Sequence, residues 1–131
     1  LKVNSQAAVN YYPSTRGALL HTEIELLNGM TSTDLYTVVY LIEDSIVGKQ
    51  KMPDNTTNYD YVHKDVMRDC IFSGWKGLKL DTAHLDANNK YYYNYNYELP
   101  AQYEADNVHF LIYVRDEVTD EIYHVIKQKL E

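Results

Sequence analysis

Hydrophobic and polar residues alternate along much of this chain with a period of two rather than 3.6. The clearest case runs from Ala18 to Leu26, where His21, Glu23 and Glu25 alternate with small or apolar residues. Successive side chains of a β-strand point to opposite faces, so this segment is predicted to be a strand with one buried and one solvated face. The Asn28-Gly29 pair that follows predicts a turn.

A second segment, Leu35–Ile42, is apolar at both its odd and its even positions. A strand of this kind is predicted to be central in its sheet and covered on both sides. In a sandwich of two sheets, one cover is the opposite sheet. The second cover must come from a loop, from another domain or from a partner chain.

The stretch from Lys90 to Pro100 carries five tyrosines, and its alternation separates two faces. The odd positions are Tyr91, Tyr93, Tyr95, Tyr97 and Leu99, which are predicted to point inward. The even positions after Tyr92 are Asn94, Asn96 and Glu98, which suit solvent. Tyrosine favours strands, and its hydroxyl can reach the rim of a sheet while its ring packs. Tyr92 is therefore the one candidate surface contact in this stretch.

Three further segments have the same alternation: Lys2–Tyr11, Asn107–Arg115 and Glu121–Leu130, although the last also suits a helix. Tyr59–Phe72 fits helical spacing as well as strand spacing, and we favour a strand. The fold class predicted from these short strands is all-β, an antiparallel immunoglobulin-like β-sandwich of about seven to nine strands. A closed barrel is the alternative.

The length of 131 residues fits one domain, which we expect to span residues 1–131. The net charge of −7 argues against nucleic acid as a partner, because a phosphate backbone would be repelled. Cys70 is the only cysteine, so an internal disulfide and a CxxC redox pair are excluded. In its apolar surroundings, Cys70 is expected to be a small buried hydrophobe.

No motif in the sequence points to catalysis or to a cofactor, and we expect neither. The five histidines have no metal-binding spacing, and the neighbouring carboxylates Glu43 and Asp44 would point to opposite faces of a strand. Two acidic loops offer oxygen ligands that could hold calcium without the spacing of an EF-hand: Asp54, Asn55, Asp60, Asp81, Asp86 and Asn88. Such residues more commonly form turns, so calcium is the minority reading.

Several landmarks occur in a fixed order along the chain. "VVYLIEDSIVGKQ" (Val38–Gln50) ends a strand with Glu-Asp, "YDYVHKDVMRD" (Tyr59–Asp69) follows, and "SGWKG" (Ser73–Gly77) comes next. The segment "NVHFLIYVRDEVTDEIYHVIKQ" (Asn107–Gln128) is the last landmark. This order resembles the C-terminal region of the 28-kDa outer membrane protein family of Bacteroidetes, over roughly residues 17–131.

The resemblance implies an exported protein at the outer membrane or cell surface, with its anchor outside this chain. It also implies that this β-sandwich is the C-terminal part of a longer protein with a thioredoxin-like region upstream. No catalytic residues are carried over. His63 and Arg68 become structural landmarks, and we expect Arg68 to pair with Glu43 or Asp44, because buried charges need partners.

The function predicted on these grounds is a non-catalytic interaction domain of an outer-membrane-associated protein, with a role in binding, adhesion or presentation. A protein or a glycan would be the ligand. The alternative is a carbohydrate-binding module, because exposed tyrosines stack on sugar rings. Exposure of the rings between Tyr91 and Tyr97 separates these two functions.

Overall fold

The chain folds into antiparallel β-sheets, as a computed structural model of residues 1–31, 33–72 and 74–131 shows. The described residues form ten strands: β1 Val3–Tyr12, β2 Gly17–Leu26, β3 Leu35–Glu43, β4 Ile46–Lys51, β5 Thr57–His63, β6 Val66–Cys70, β7 Leu78–Lys79, β8 Lys90–Glu98, β9 Val108–Asp116 and β10 Ile122–Lys129. Two 3₁₀ turns, Thr82–His84 and Ala105–Asn107, precede β8 and β9. Among these residues, no helix is long and apolar enough to cross a membrane.

Two sheets form the sandwich. One has the order β1-β2-β8, and the other has the order β10-β9-β3-β6, with the short β7 also paired to β3. Strands β4 and β5 pair only with each other. An antiparallel sandwich with this division of strands is immunoglobulin-like, which confirms the predicted fold class. The sheets keep open edge strands, so the structure is a sandwich and not a closed barrel.

The core lies between the two sheets, where the predicted inward faces meet. In β2 the even-numbered residues from Ala18 to Leu26 are buried, as the alternation predicted. From the other sheet, Leu41, Phe110 and Ile112 pack against Ala18 and Leu20 with almost no exposed surface, and Leu35 and Val114 pack in a second cluster with Ile24 and Leu26. The alternation of apolar residues therefore places the interior correctly in both sheets.

Strand β3 pairs with β9 on one side and with β6 and the short β7 on the other, so its predicted central position is confirmed. Its outer face is covered in part by the loop that leads into β7. Gly77 has a φ of 85°, and a Cβ at this position would overlap the main-chain oxygen of Thr37. This close approach is open only to glycine. It brings Trp75 over Arg115, whose Cζ lies 5.7 Å from the Trp75 ring centroid and 5.0 Å from that of Tyr36.

The segment Tyr59–Phe72 is strand and not helix, which confirms the favoured reading. It is two strands rather than one, because the chain turns at Lys64-Asp65 between β5 and β6. Strands β4 and β7 are additions that the sequence pattern did not predict. Glu121–Leu130 is also strand, as β10, and its helical alternative was wrong.

Cys70 lies in β6 as a free thiol and is half-buried, so the expectation of a fully buried side chain was wrong. The reason is its strand. β6 is at the edge of its sheet, and Cys70 pairs across to Tyr40 on the incompletely covered face. Ser73, the first residue of the "SGWKG" landmark, lies outside the described residues.

Candidate functional site

A two-stranded hairpin, Ile46–His63, projects from the sandwich, and we call it the arm. The last pair of the β3–β6 ladder is Glu43–Val66, and the first pair of the arm is Ile46–His63. At the two crossings between them, Ser45 has a φ of 58° and Asp65 a φ of 50°. Each of the two crossings therefore contains one left-handed residue, which interrupts its strand there. The hairpin therefore leaves the five-stranded sheet and forms a sheet of its own.

The surface of the arm is rich in exposed apolar groups. Val47 and Val62 are directly opposed and both exposed, and Tyr59 is 69% exposed. Tyr61 packs edge-on against His63, with ring centroids 5.1 Å apart. Among the described residues, no hydrogen bond or ion pair joins the arm's side chains to the sandwich. The arm thus carries apolar surface that its own chain leaves uncovered.

The base of the arm is polar. Asp65 lies 3.7 Å from His109 Nε2 and 3.4 Å from Lys127 Nζ, and the Asp44 carboxylate accepts from the Ser45 main-chain N–H at 2.8 Å. A cleft of about 410 Å³ opens beside these groups, lined by Asp44, Asp106, Asn107, His109, Lys127 and Lys129. These contacts hold the Asp65 crossing to β9 and β10. They fix where the arm leaves the sandwich.

His109 is the buried titratable group of this base, with 6% of its surface exposed. Burial lowers the pKa of His109, and the positive charge of Lys127 lowers it further, while Asp65 and Asp44 oppose the shift. Lys129 also acts to lower this pKa. The folded protein therefore favours the neutral imidazole beside Asp65.

We expect this histidine to make stability depend on pH. Its pKa in the folded chain is below the ordinary value near 6.5, so the unfolded chain binds more protons in the interval between them. The contribution is complete above pH 6.5 and is lost as the pH falls toward the folded pKa. Urea unfolding between pH 7.5 and 5 should show wild-type stability falling more steeply than that of His109→Gln. Equal slopes would contradict this, and exposed His84→Gln serves as the control.

A second cluster forms where β3, β6 and the loop before β9 meet. Arg68 Nε lies 3.2 Å from Glu43 Oε1, and the other carboxylate oxygen accepts from the Glu104 main-chain N–H at 3.2 Å. The Arg68 guanidinium also lies 5.1 Å from the Tyr103 ring centroid. Of the two carboxylates that the sequence offered Arg68, the structure places Glu43 against it. Asp44 points instead to the base of the arm.

The structure places the sequence landmarks in four different parts of the fold. Glu43 on β3 and Arg68 on β6 form an ion pair in the sandwich. Asp44 lies at the base of the arm, and His63 lies on the arm itself. Tyr92 lies on the solvated face of β8 in the other sheet. The five residues therefore do not form one site.

The tyrosines of β8 point as the alternation predicted. Tyr91 is buried, and the other odd-numbered rings are half-buried, while Tyr92 is exposed. Tyr97 donates to Asp69 at 3.0 Å, and burial together with this hydrogen bond raises the pKa of Tyr97 far above its ordinary value. A row of solvent-facing rings is absent from this described strand. The carbohydrate-binding alternative loses its main support.

The acidic loops use their side chains locally. Asp54 accepts from the Thr56 main-chain N–H at 3.0 Å, Asp81 caps the 3₁₀ turn through the Ala83 N–H, and Asp86 accepts from the Asn88 N–H. These are turn-forming contacts. Within the described ranges, no three His, Cys, Asp or Glu side chains are gathered in a way that could hold a metal ion.

Sequence reasoning missed the arm, although one signal for it was present. Reading Tyr59–Phe72 as a single strand hid the break at Asp65 and left β4 unassigned. The signal is the run Pro53-Asp54-Asn55, whose residue types favour a tight turn between two short strands. Asn55 indeed has a φ of 69°, and the Asn55 N–H donates to Met52 O at 3.0 Å.

Comparison with solved structures supports the fold. The crystal structure of a domain of the outer membrane lipoprotein Omp28 from Porphyromonas gingivalis matches with a TM-score of 0.62 and 22% identity, covering 99% of this chain and 88% of that chain. HBP35 of Porphyromonas gingivalis matches with a TM-score of 0.77 and 13% identity, covering 98% of this chain but only 41% of that chain. The chain thus spans about two fifths of the length of HBP35.

A search of the curated proteins finds no match to this chain. The model of one protein family, however, described as outer membrane protein Omp28, matches residues 1–131. This agrees with the landmarks from Val38 to Gln128 and with the location at the outer membrane that they implied. The chain belongs to the Omp28 family of outer membrane proteins.

Proposed function

We propose that this chain is a non-catalytic interaction domain of an outer-membrane-associated protein and that its arm binds a protein partner. One observation carries the proposal. Val47, Tyr59 and Val62 are exposed on a hairpin that projects from the sandwich, and within the described residues the arm has no cover. Exposed apolar patches mark interaction sites, and tyrosine is enriched at the centres of protein interfaces.

The build of the arm supports binding for a physical reason. A two-stranded hairpin alone is at best marginally stable in water, because it has no opposite layer on which to bury its apolar side chains. The arm's two strands pair with each other, with a register shift between Gly48 and Gln50, but they have no such layer. Docking on a partner supplies the missing layer, and the contacts of Asp65 with His109 and Lys127 keep the arm attached at a fixed place.

The surface next to the arm extends the same site. On the outer face of the five-stranded sheet, Met67, Val125 and Ile122 are exposed, and the rings of Tyr40 and Tyr113 lie half-buried between them with centroids 5.9 Å apart. The loop at Trp75 covers only the part of this face near Arg115. A protein that contacts the arm can therefore also contact this sheet.

A protein partner suits this surface better than a glycan. The large exposed apolar residues of the arm are Val47, Val62, Tyr59 and Tyr61, and the Tyr61 ring packs edge-on against His63 rather than in one plane with it. Such a mixed aliphatic and aromatic surface suits the apolar core of a protein interface. A thioredoxin-like region upstream, which the family resemblance implies, would be one protein surface within reach. We include it as part of the proposal.

Photocrosslinking tests the proposal. A benzoylphenylalanine at position 59 should yield a discrete protein adduct in native cells or in the full-length protein. The same probe at Tyr12, which is 57% exposed on β1 of the other sheet, should not. Replacing Val47 and Val62 by serine should reduce the adduct at least tenfold and change the melting temperature little, because both side chains are exposed.

Three results would count against an arm that binds protein. Equal adducts at positions 59 and 12 would show unspecific contact. An adduct that survives the valine replacements would show that the apolar surface is not used. Selective binding of the isolated domain on a glycan array, abolished by Tyr92→Ala, would favour the carbohydrate-binding alternative instead.

A further inference from the structure

Strand β8 forms an open edge of the three-stranded sheet. Its one neighbour is β2, and the ladder between them is regular from Lys90 to Glu98. At the two ends of this ladder, the Leu26 N–H donates to Asn89 O at 2.9 Å and the Leu99 N–H donates to Arg16 O at 2.8 Å. Antiparallel pairing alternates, so the odd-numbered residues of β8 exchange main-chain hydrogen bonds with β2.

The main-chain N–H and C=O groups of the even-numbered residues of β8 therefore point away from β2, toward the open edge. These residues are Tyr92, Asn94, Asn96 and Glu98, and in the described part of the chain none of their N–H or C=O groups has a hydrogen-bond partner. The side chains of all four are exposed. Lys90 is different, because its N–H donates to Asp86 Oδ1 and its carbonyl accepts from the Asp86 N–H.

The other edge strands of the two sandwich sheets, β1, β10 and β6, each have a feature that discourages strand addition. On β1, the Ser5 N–H donates to His124 Nδ1 at 2.9 Å, so β10 covers that edge. On β10 itself, a register shift lies between Ile122 and His124, and Lys127 and Lys129 are exposed. Strand β6 is short and its register is also shifted. Bulges, lysines and short length are the usual protections of an edge.

Strand β8 lacks these protections between Tyr91 and Glu98. It has no proline, no register shift and no charge in its middle, and its nine residues are longer than the average strand. Such an edge is a template for pairing with another strand. Its regularity therefore points to a partner strand rather than to a passive surface.

We propose that the open edge of β8 pairs with β8 of a second copy of this chain. The two strands run antiparallel about a two-fold axis at Asn94, and the two three-stranded sheets join into one. The pairing uses a surface separate from the arm, so it goes beyond the proposed function and does not depend on it.

Self-complementarity selects the second copy as the occupant. In the register that overlaps all nine residues, Asn94 opposes itself, Tyr92 opposes Asn96, and Lys90 opposes Glu98 of the second copy. Three residue pairs can then exchange main-chain hydrogen bonds: 92 with 96, 94 with 94 and 96 with 92. Opposite charges meet at both ends of the paired strands, where Lys90, whose Nζ also lies 2.7 Å from Glu23 Oε1 of its own chain, comes opposite Glu98. Cross-strand charge pairs of this kind are favourable.

The inward tyrosines also gain from the pairing. Tyr93, Tyr95 and Tyr97 point into the sandwich but remain half-buried, because β8 has no neighbour on its open side. A second β8 would place Tyr95 beside Tyr93 and Tyr97 beside Tyr91 of the other copy, and would cover these rings further. A contact confined to one strand per copy buries a small area, so the dimer is expected to be weak and concentration-dependent.

Crosslinking and sedimentation test the pairing on this chain. In a Cys70→Ser background, Asn94→Cys should form an intermolecular disulfide under mild oxidation, because opposed residues of a hydrogen-bonded pair have Cα atoms about 5.5 Å apart. Ala8→Cys, on the solvated face of β1, should not. Asn96→Pro removes an edge N–H that has no internal partner and should weaken self-association at least tenfold relative to Asn96→Ala.

The outcomes separate the proposal from its rivals. A chain that stays monomeric in sedimentation equilibrium up to millimolar concentration would overturn it. So would a dimer that tolerates Asn96→Pro and gives no Asn94→Cys crosslink, because that dimer would use another surface. If Asn96→Pro fails to fold by circular dichroism, the Asn94→Cys and Ala8→Cys pair decides alone.

Discussion

Replacing Tyr91 by alanine is expected to lower the free energy of unfolding by about 3–5 kcal/mol, the usual range for a large buried aromatic side chain. Tyr91 is 1% exposed and packs in a cluster with Val3, Ile24 and Leu80. Its ring also stacks on Tyr93, with centroids 6.3 Å apart. Alanine would remove most of this contact and leave a cavity.

The matched control is the next residue. Tyr92 has the same side chain on the same strand but is 58% exposed, so Tyr92→Ala should change the free energy of unfolding by less than about 0.5 kcal/mol. Urea unfolding of the two variants measures the difference directly. Similar losses in both would show that the two faces of β8 are not separated as described, and would contradict the alternation argument.

Removing the Arg68 side chain is the second large effect that we expect. Arg68→Ala leaves the Glu43 carboxylate, whose side chain is 6% exposed, with the Glu104 N–H as its remaining donor. Breaking a buried ion pair costs about 3–5 kcal/mol. Because the Arg68 side chain is 30% exposed and partly screened, we expect about 2 kcal/mol.

Thermal unfolding should report this loss as a melting temperature lower by roughly 6–10 °C. A double-mutant cycle with Glu43→Gln and Arg68→Met isolates the pair, and its coupling energy should be about 1–2 kcal/mol. The cycle also controls for the contact of Arg68 with the Tyr103 ring, because the single Glu43→Gln variant keeps that contact. An unchanged melting temperature for Arg68→Ala would refute the role given to this residue.

Substitutions in the sandwich and substitutions on the arm are expected to change different properties of the protein. Tyr91 and the Arg68–Glu43 pair lie in the sandwich, so their loss should weaken the whole fold. The arm's exposed residues, such as Val47 and Val62, should contribute to binding with little effect on unfolding. A residue's position in the sandwich or on the arm therefore predicts which measurement it changes.

The sequence predicted the sandwich well because the alternation of apolar and polar residues is a local property, and the burial of one face fixes which residues point inward. β2, β3 and β8 each have a pattern that fits one arrangement of faces, and a shift by one residue would expose the whole apolar set. The pairing of Arg68 with Glu43 or Asp44 was also within reach, since a charge near an apolar run needs a partner. The sequence does not choose between the two carboxylates, because they are neighbours at the end of β3 and only the packing of β6 against β3 brings Glu43 next to Arg68.

The arm could not be predicted in the same way. Tyr59, Tyr61 and Val62 look like core residues in a list of apolar positions, and the period does not say whether an opposite layer exists. Two left-handed residues, Ser45 and Asp65, decide the matter, because each interrupts one of the two strands. Serine and aspartate adopt many other conformations, so their types alone do not predict this break.

What the sequence determined by itself is the fold class, the inward and outward faces of its strands and the family to which its landmarks point, since each rests on local periodicity or on residue order. The tertiary structure decided which apolar residues lack a cover and which strand edge stays open. Both depend on what lies beside a residue in space. The exposed arm and the open edge of β8, the two surfaces proposed here for binding, arise from the arrangement of strands and not from any motif.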